Sequence, residues 1–317
     1  MITRYREVDG KLRHINGWRP EAETHRFGAR TPTAATPPAI ASLPRRVDLS
    51  DRWPAIKDQG VIGDCVANAT LECYEFFQPL GARRPLSRLY LYAYGRLAEG
   101  TPLTEDSGMQ VGTALEVLTE RGAPYEEDWD YADYGEKFAQ QLPVELDVQA
   151  AEHRALYWYP CPDLFTLKAS LAQGFPAAFG FRCPENMFSA ACLSTGLIHY
   201  PEPGEGYAGA HATGIAGYDD DIQIGDDVGV LILPNSWGTG VGQSGYFLLP
   251  QRFVTEGIAA SIYSLRHVLG ALDKETGAIK PEPTSAPYAG AGSIPELRVP
   301  TPFQFPPRPH DLVPRLA

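Results

Sequence analysis

Cysteine is scarce in this sequence and shows no paired spacing. The 317 residues contain five cysteines, Cys65, Cys73, Cys161, Cys183 and Cys192. An odd, scattered set does not indicate a disulfide framework, and it lacks the CxxC-type pairs that a zinc site needs. We therefore expect a reducing compartment and no metal site, and nothing in the sequence calls for a cofactor.

Long apolar runs are also missing. No stretch approaches the roughly 18 consecutive apolar residues of a membrane-spanning helix. The N-terminus, MITRYREVDGKLRHINGW, is interrupted by charges and has no apolar segment typical of a cleavable secretory signal. These absences predict a cytoplasmic protein, with export independent of an N-terminal signal as the alternative.

Basic residues are outnumbered by acidic ones. Lys and Arg total 27 against 39 Asp and Glu, which gives a formal net charge of -12. Nucleic acids and anionic membranes are polyanions and repel an acidic surface. We therefore expect neither as a partner.

Proline is plentiful, and it divides the chain into three regions. Residues 1–42 are polar and end in TPTAATPPAIAS, which is typical of an extended linker. Residues 43–268 carry nearly all the periodic apolar signal. Residues 269–317 form a proline-rich tail, in which proline disfavours both helices and sheet ladders. The chain is long enough for one large domain or for two lobes around a shared cleft.

The first half of the central region predicts helices. One begins near Cys65 with Asp64 at the N-cap, and its inner face carries Ala69, Cys73, Phe76 and Leu80. A second is expected between Ser87 as the cap and Gly100 as the stop. A third, closed by Gly122, has its inward face formed by Val111, Ala114, Leu115 and Leu118.

In the second half of the central region the spacing of apolar residues is no longer helical, and the pattern predicts strands. FPAAFGF, HATGIAGY, VGVLILP and SGYFLLP are short, apolar or alternating, and bounded by Gly, Pro or Asp. Helices followed by strands indicate an α+β chain with one lobe of each kind, and a cleft between lobes is a usual place for a small-molecule or peptide site.

Two residues have a local context that suits nucleophilic catalysis. Cys65 stands at the start of the first helix, where unpaired N–H groups and the helix dipole favour a thiolate. His211 lies in the small-residue run YAGAHATGIAGY, which lets a substrate or another backbone come close. An imidazole beside the thiol would take its proton and return it to a leaving group. Each residue alone is equally compatible with a structural role.

Two amides complete the candidate set. Asn235 opens NSWGTGVGQSGYFLLP directly after a strand, where it would orient an imidazole, and Trp237 would shield that hydrogen bond. Gln59 precedes Cys65 by six residues, and its side chain together with the Cys65 N–H would hold an oxyanion.

These segments resemble the papain-like cysteine peptidases. LPRRVDLSDRWPAIKDQGVIGDC is similar to the start of a mature papain-family enzyme, GAHATGIAGYDD to its histidine segment, and NSWGTGVGQSGYFLLP to its asparagine segment. The separation between Cys65 and His211 also suits papain-type enzymes. GWRP, DQGxxGxCxANA and SRLYLY are similar to the bacterial, disulfide-poor branch of the family.

The resemblance implies a fold and a set of roles. The fold would have a helical left lobe, an antiparallel β-barrel-like right lobe and the active-site cleft between them. Cys65 would attack the peptide carbonyl, His211 would transfer the proton, Asn235 would orient His211, and Gln59 would line the oxyanion hole. Substrate-binding positions would be Gly108, Trp237, Gly209 and Ala210.

Several positions depart from the family pattern. Ile62 stands where a disulfide cysteine is usual, Val66 and Val241 stand where tryptophans are usual, and Asp64 replaces a small residue before the nucleophile. A carboxylate there would oppose thiol ionisation. The usual long propeptide is replaced by residues 1–42, which we interpret either as a plain leader or as an inhibitory segment that crosses the cleft.

The favoured hypothesis is therefore a cysteine endopeptidase that acts on a peptide or protein substrate through an acyl-enzyme intermediate. Two alternatives stay open: a thiol-dependent amidase or acyl transferase, and a non-catalytic papain-like binding protein, which the altered neighbours of Cys65 suggest.

Overall fold

The computed structural model describes residues 5–21, 43–142 and 144–268. The predicted linker before residue 43 and the proline-rich tail lie outside them. The left lobe is built from α1 (Cys65–Glu75), α2 (Arg88–Ala98) and α3 (Val111–Glu120), which pack on one another. Two shorter helices follow, α4 (Tyr134–Lys137) and α5 (Val144–Ala150).

The right lobe consists of two antiparallel four-stranded sheets. Their strand orders are β4-β10-β5-β6 and β3-β7-β8-β9. The strands are β3 (Arg46–Asp48), β4 (Ala155–Pro160), β5 (Ala177–Pro184), β6 (Tyr207–Ile215), β7 (Gly217–Ile224), β8 (Asp227–Pro234), β9 (Tyr246–Pro250) and β10 (Ala259–Val268). The helices of this half are α6 (Leu164–Ala172), α7 (Ala190–Thr195) and α8 (Arg252–Thr255).

The predicted α+β fold with a helical and a stranded lobe is confirmed. The right lobe differs in detail, because among the described residues the two sheets stay separate and do not close into a barrel. The four predicted strands correspond to β5, β6 with the start of β7, β8 and β9.

Local sequence signals explain the limits of the helices. The Ser87 side chain accepts a hydrogen bond from the Tyr90 N–H at 3.3 Å and so caps α2 as predicted. Gly122 follows α3 with φ +82°, and a Cβ there would lie 1.9 Å from the Ala150 carbonyl oxygen. The four residues predicted to face inward from α3 are all buried.

One prediction about α1 is confirmed in position only, and one is wrong. Asp64 occupies the predicted N-cap position, but its carboxyl group makes no capping bond and turns towards Tyr131 instead. Leu80 does not belong to the inner face: the helix ends at Glu75, and Leu80 is 66% exposed in a separate 3-10 turn. Pro79, which is extended with ψ 132°, stops the helical course.

Helix α1 is buried along its whole length between the two lobes. It contacts α2 and α3 on one side and β5 and β6 on the other. Its buried acids are partnered, since Trp53 donates to Glu72 at 3.3 Å and Lys57 pairs with Glu75 at 2.7 Å. The N-terminus of α1 is therefore fixed at the junction of the lobes.

An N-terminal hairpin lies outside both lobes. Strands β1 (Tyr5–Val8) and β2 (Lys11–His14) pair antiparallel around a turn in which Asp9 and Gly10 have φ of 52° and 69°. Positive φ at both central residues is what a tight hairpin turn requires. We call residues 5–21, the hairpin and the extended stretch after it, the strap.

Two further features concern the chain as a whole. All five cysteines lie in the described residues, and all are free and buried. Within the described ranges, no helix combines the length and the apolar character needed to cross a membrane.

Candidate active site

The thiol of Cys65 lies at the start of α1 and has no exposed surface. The backbone N–H groups of Val66 and Ala212 both act on the sulfur as hydrogen-bond donors. Ala212 belongs to β6 and directly follows His211, so the strand that carries the imidazole also contacts the sulfur. The tertiary fold thus unites two residues that are far apart in the sequence.

His211 is oriented by Asn235. The ring Nε2 lies 2.8 Å from the Asn235 Oδ1, and an amide oxygen can only accept, so Nε2 carries the proton. Nδ1 is buried without a hydrogen-bond partner among the described residues, and it is the nitrogen available to the thiol. The Trp237 ring covers the imidazole, with ring centroids 4.9 Å apart, and keeps water from the hydrogen bond.

Hydrogen bonds to Ser236 and Ile62 fix Gln59 beside the nucleophile, and its carbonyl oxygen lies 2.8 Å from the Tyr131 hydroxyl. Its side-chain oxygen accepts from the Ser236 hydroxyl at 2.6 Å, and its amide nitrogen donates to the Ile62 carbonyl at 2.9 Å. Its backbone N–H donates to the Ser236 carbonyl at 2.9 Å. A side-chain amide has two N–H groups, so one remains for an oxyanion.

The electrostatics of the site favour neutral groups. Burial raises the pKa of the Cys65 thiol well above its ordinary value, and Asp64 and Asp106 raise it further. Burial lowers the pKa of His211 to about 4, against the opposing effect of the Asn235 hydrogen bond. In this state the pair is therefore a neutral thiol and a neutral imidazole.

The strap passes directly over the nucleophile. A Cβ added to Gly17 would lie 2.7 Å from the Cys65 sulfur. On the right lobe, the Ala210 N–H donates to the Ile15 carbonyl at 2.7 Å. On the left lobe, the Met109 N–H donates to the Gly17 carbonyl at 3.0 Å. The strap therefore bridges both walls of the cleft through its backbone.

Two glycines make room for this backbone. A Cβ on Gly108 would lie 2.5 Å from the Gly17 carbonyl oxygen, and a Cβ on Gly209 would lie 2.2 Å from that of Ile15. Gly108 also has φ +68°, which favours glycine on conformational grounds. Both walls are thus shaped to receive an extended main chain.

Side chains anchor the strap on either side of Gly17. Arg13 is buried, forms a bidentate ion pair with Asp58, and donates to the Trp237 carbonyl at 3.2 Å. Trp18 is 3% exposed and packs so closely on Gly180 that a Cβ there would lie 2.1 Å from the indole. Further along, the Glu21 carboxylate accepts from the Gly112 N–H and the Tyr263 hydroxyl.

Comparison with protein families matches residues 43–265 to the family described as papain family cysteine protease. The chain belongs to this family.

Individual papain-family relatives agree with this assignment. The uncharacterised peptidase C1-like protein L477 of Acanthamoeba polyphaga mimivirus is 29% identical over 226 residues, which cover 67% of this chain and 69% of the viral protein. Xylellain, a cysteine protease from Xylella fastidiosa, is 27% identical with a TM-score of 0.66, and the match covers 79% of this chain and 95% of xylellain. Digestive procathepsin L 3 of the Tenebrio molitor larval midgut shares the fold at 21% identity, with a TM-score of 0.52 over 79% of this chain and 73% of that one.

The structure brings together the residues singled out from the papain-like motifs. Cys65, His211, Asn235 and Gln59 form one buried group at the base of the cleft. All four positions expected to bind substrate contact the strap. Gly108, Gly209 and Ala210 contact the backbone of the strap, and the Trp237 carbonyl group accepts a hydrogen bond from Arg13 of the strap.

The departures from the papain pattern are accommodated in the core. Ile62, Val66 and Val241 are all buried, with at most 4% exposure. Sequence reasoning did not find Ser236, which holds Gln59, although it stands inside the quoted NSWGTG segment. It also did not assign contacts to Arg13 or Trp18, of which Trp18 stands in the quoted GWRP motif and Arg13 lies outside it.

Proposed function

We propose that this chain is a cysteine endopeptidase. Cys65 is the nucleophile, His211 the acid and base, Asn235 the residue that orients His211, and Gln59 a donor to the oxyanion. The observation that carries the proposal is the Nε2–Oδ1 hydrogen bond of His211 and Asn235, which leaves Nδ1 unprotonated and able to accept the thiol proton. The family assignment supports the same chemistry.

The proposed reaction has two halves. The Cys65 proton passes to His211 Nδ1 and the sulfur adds to the peptide carbonyl, so that an oxyanion forms near the Gln59 amide and the Cys65 N–H. The C–N bond then breaks as His211 protonates the leaving amine. Water, deprotonated by His211, hydrolyses the thioester, which releases the acid and restores the thiol.

The path of the strap supports cleavage within a polypeptide. Gly17 lies over the sulfur, and the chain continues away from it in both directions, through Asn16 towards the hairpin and through Trp18 towards Glu21. A cleft that admits chain on both sides of the nucleophile does not require a chain end there. Peptides blocked at both termini are therefore suitable substrates.

The test is labelling with an epoxide that reacts only with a thiol activated by an imidazole. We expect one equivalent of label on Cys65, together with cleavage of a doubly blocked, internally quenched peptide. Cys65→Ala removes both signals. Cys192→Ala, which changes a buried cysteine of α7, keeps both. Labelling without cleavage of any peptide would favour an amidase or transferase, and absence of labelling would favour a binding protein.

We further propose that the strap inhibits the enzyme within the same molecule. It occupies the cleft over Cys65, and its hydrogen bonds to Met109 and Ala210 are those that an extended substrate backbone would use. The burial that holds Cys65 and His211 neutral includes contact with the strap. Displacing it would admit water and favour the thiolate–imidazolium pair.

Inhibition is tested by removing residues 1–42 and by adding the strap back. We expect the shortened chain to cleave peptides faster than the full chain. A synthetic peptide of residues 5–21 should restore inhibition, and the same peptide with Trp18→Ala should inhibit at least about tenfold more weakly, because a large buried aromatic contact is lost. Equal rates for the full and shortened chains would refute the proposal.

A further inference from the structure

The carboxyl group of Asp64 is buried directly behind the nucleophile. Asp64 precedes Cys65 in the chain and has no exposed surface. Its Oδ2 lies 2.8 Å from the Tyr131 hydroxyl, whose single proton is shared with the Gln59 carbonyl oxygen, also at 2.8 Å. Its Oδ1 has no hydrogen-bond partner within the described part of the chain. One neutral donor is little compensation for a buried carboxylate, which is costly to keep charged.

The nearest cation is already committed to another acid. The Arg88 guanidinium binds both oxygens of Glu126, at 2.7 and 2.9 Å, and donates to the Asn68 side-chain oxygen at 3.0 Å. It also lies over the Tyr131 ring, 3.5 Å from the centroid. Because Arg88 and Glu126 neutralise each other, an ionised Asp64 would be an excess negative charge in this cluster.

A second buried cation, Arg96, interacts with both Asp106 and Asp64, and its guanidinium donates to the carbonyl groups of Leu103 and Glu105. Because Asp106 offsets the charge of Arg96, this cation does not remove the excess negative charge of an ionised Asp64. Asp106, on the loop before α3, carries a negative charge of its own and accepts from the Gly63 N–H and the Tyr92 hydroxyl. His14 of the strap faces Asp106, with Nε2 to Oδ2 at 3.9 Å. The Cys65 thiol is a further titratable neighbour of Asp64, and its ionisation would add a second negative charge.

We propose that Asp64 is a positioning residue that controls the ionisation of Cys65: it is protonated when the thiolate forms, and its own ionisation suppresses the thiolate. The inference rests on the proposed role of Cys65 as a nucleophile. Asp64 touches neither substrate nor reacting atoms, and it acts through the charge that it places behind the sulfur.

The direction of the pH dependence follows from the burial of this acid. Burial raises the pKa of Asp64 to about 7, although Arg88 and the Tyr131 hydrogen bond act to lower it. Below that pH the group is neutral and leaves the thiol unhindered. Above it the carboxylate opposes a second negative charge on the sulfur, so the reactivity of Cys65 stops rising as pH increases.

Asp64→Asn removes the negative charge at residue 64 and keeps the hydrogen bond, because an asparagine oxygen still accepts from the Tyr131 hydroxyl. The measurement is the rate of Cys65 alkylation by iodoacetamide against pH in the full chain, with Cys65→Ser as the blank. We expect the wild-type rate to level off near about pH 7 and the Asp64→Asn rate to continue rising, with a difference of about tenfold at alkaline pH and none at acidic pH.

Two control variants sharpen this test. Tyr131→Phe removes the hydroxyl that donates to Asp64, and it should move the inflection to higher pH because the carboxylate loses this hydrogen bond. Glu72→Gln changes another buried acid of α1, two turns further along the helix, and should leave the inflection in place. A purely structural role would instead lower the rate equally at every pH.

A second measurement detects the proton on the Asp64 carboxyl group directly. The infrared carbonyl band of a protonated carboxylic acid should appear in wild type minus Asp64→Asn difference spectra at mildly acidic pH and fade as pH rises through about 7. An inflection that persists in Asp64→Asn, or the absence of this band, would overturn the inference. Neither measurement needs peptide cleavage, so a chain that cleaves no peptide would refute the proposed function without deciding this one.

Discussion

The backbone of Gly17 lies in contact with the sulfur of Cys65. A methyl group at residue 17 would approach the sulfur to 2.7 Å and the Gly63 carbonyl oxygen to 2.6 Å, which leaves no room for any side chain. The strap thus contacts the nucleophile at a residue that has no side chain. This contact explains why a chain with a complete set of papain-type residues presents a covered site.

Gly17→Ala should expel the strap from the cleft. The added methyl has no space between the sulfur and the Gly63 carbonyl, and overpacking of this kind typically costs about 1–3 kcal/mol. We expect alkylation of Cys65 and peptide cleavage to become about tenfold to hundredfold faster. Gly81→Ala is the control, because a Cβ at Gly81 meets nothing within 4 Å. Equal rates in the two variants would contradict the contact.

Arg13→Ala should release the strap more than Arg6→Ala. The Arg13 side chain is 2% exposed and pairs with Asp58, whereas the exposed pair of Arg6 and Glu185 has side chains 37% and 44% accessible. Buried charged hydrogen bonds are worth more than surface ion pairs. We expect peptide cleavage to accelerate about tenfold or more in Arg13→Ala and less than about threefold in Arg6→Ala. A larger effect of Arg6→Ala than of Arg13→Ala would contradict the role of Arg13 as the anchor.

Asn235→Ala should impair catalysis without weakening substrate binding. The variant removes the acceptor of the His211 Nε2 proton, so the ring and its tautomer are no longer fixed. The loss of a buried hydrogen bond of about 1–3 kcal/mol corresponds to roughly a fivefold to hundredfold fall in kcat, with KM nearly unchanged. Steady-state kinetics in the Gly17→Ala background provide the measurement. Asn186→Ala, whose side chain bonds Glu205, is the matched control. An unchanged kcat would show that His211 needs no orienting partner.

Glu72→Gln should reduce the dependence of stability on pH. Burial raises the pKa of Glu72 to about 8 in the folded chain, against an ordinary value of 4.5. Between these values the folded state holds a proton that the unfolded state has released, so stability falls as pH rises from about 5 to 8. Glutamine keeps the Trp53 hydrogen bond and removes this loss, on the order of 2–4 kcal/mol.

Denaturant unfolding at several pH values measures this effect. Asp64, whose pKa burial raises to about 7, contributes a slope of the same sign, so the dependence should diminish and not vanish. A steeper fall in Glu72→Gln than in wild type would mean that Glu72 is ionised in the folded chain.

Much of the site follows from local sequence context. Cys65 at a helix start, His211 in a run of small residues and Asn235 after a strand are each recognisable without coordinates, and the structure places them in one buried group. The inward face of α3 and the cap at Ser87 are equally local features. Strands β4 and β10 were not predicted, because neither has turn residues as clear as those around the other strands.

The errors share a physical cause. Asp64 has the sequence context of an N-cap, yet the Tyr131 hydroxyl, 67 residues away in the chain, takes its carboxyl group. Leu80 fits the helical period but follows Pro79, which ends the regular course. In both cases local helix propensity did not decide the structure. A hydrogen-bond partner distant in sequence decided the first, and the fixed φ of a proline decided the second.

The sequence by itself determined the three main helices of the left lobe, four strands of the right lobe, the family and the residue types available for thiol chemistry, since these depend on short-range spacing and periodicity. The path of the strap, the burial of Asp64 and the neutral state of the Cys65–His211 pair were decided only by the tertiary structure. Those features depend on which distant groups exclude water from a given atom, and exclusion of water is a property of packing that no local stretch of chain contains.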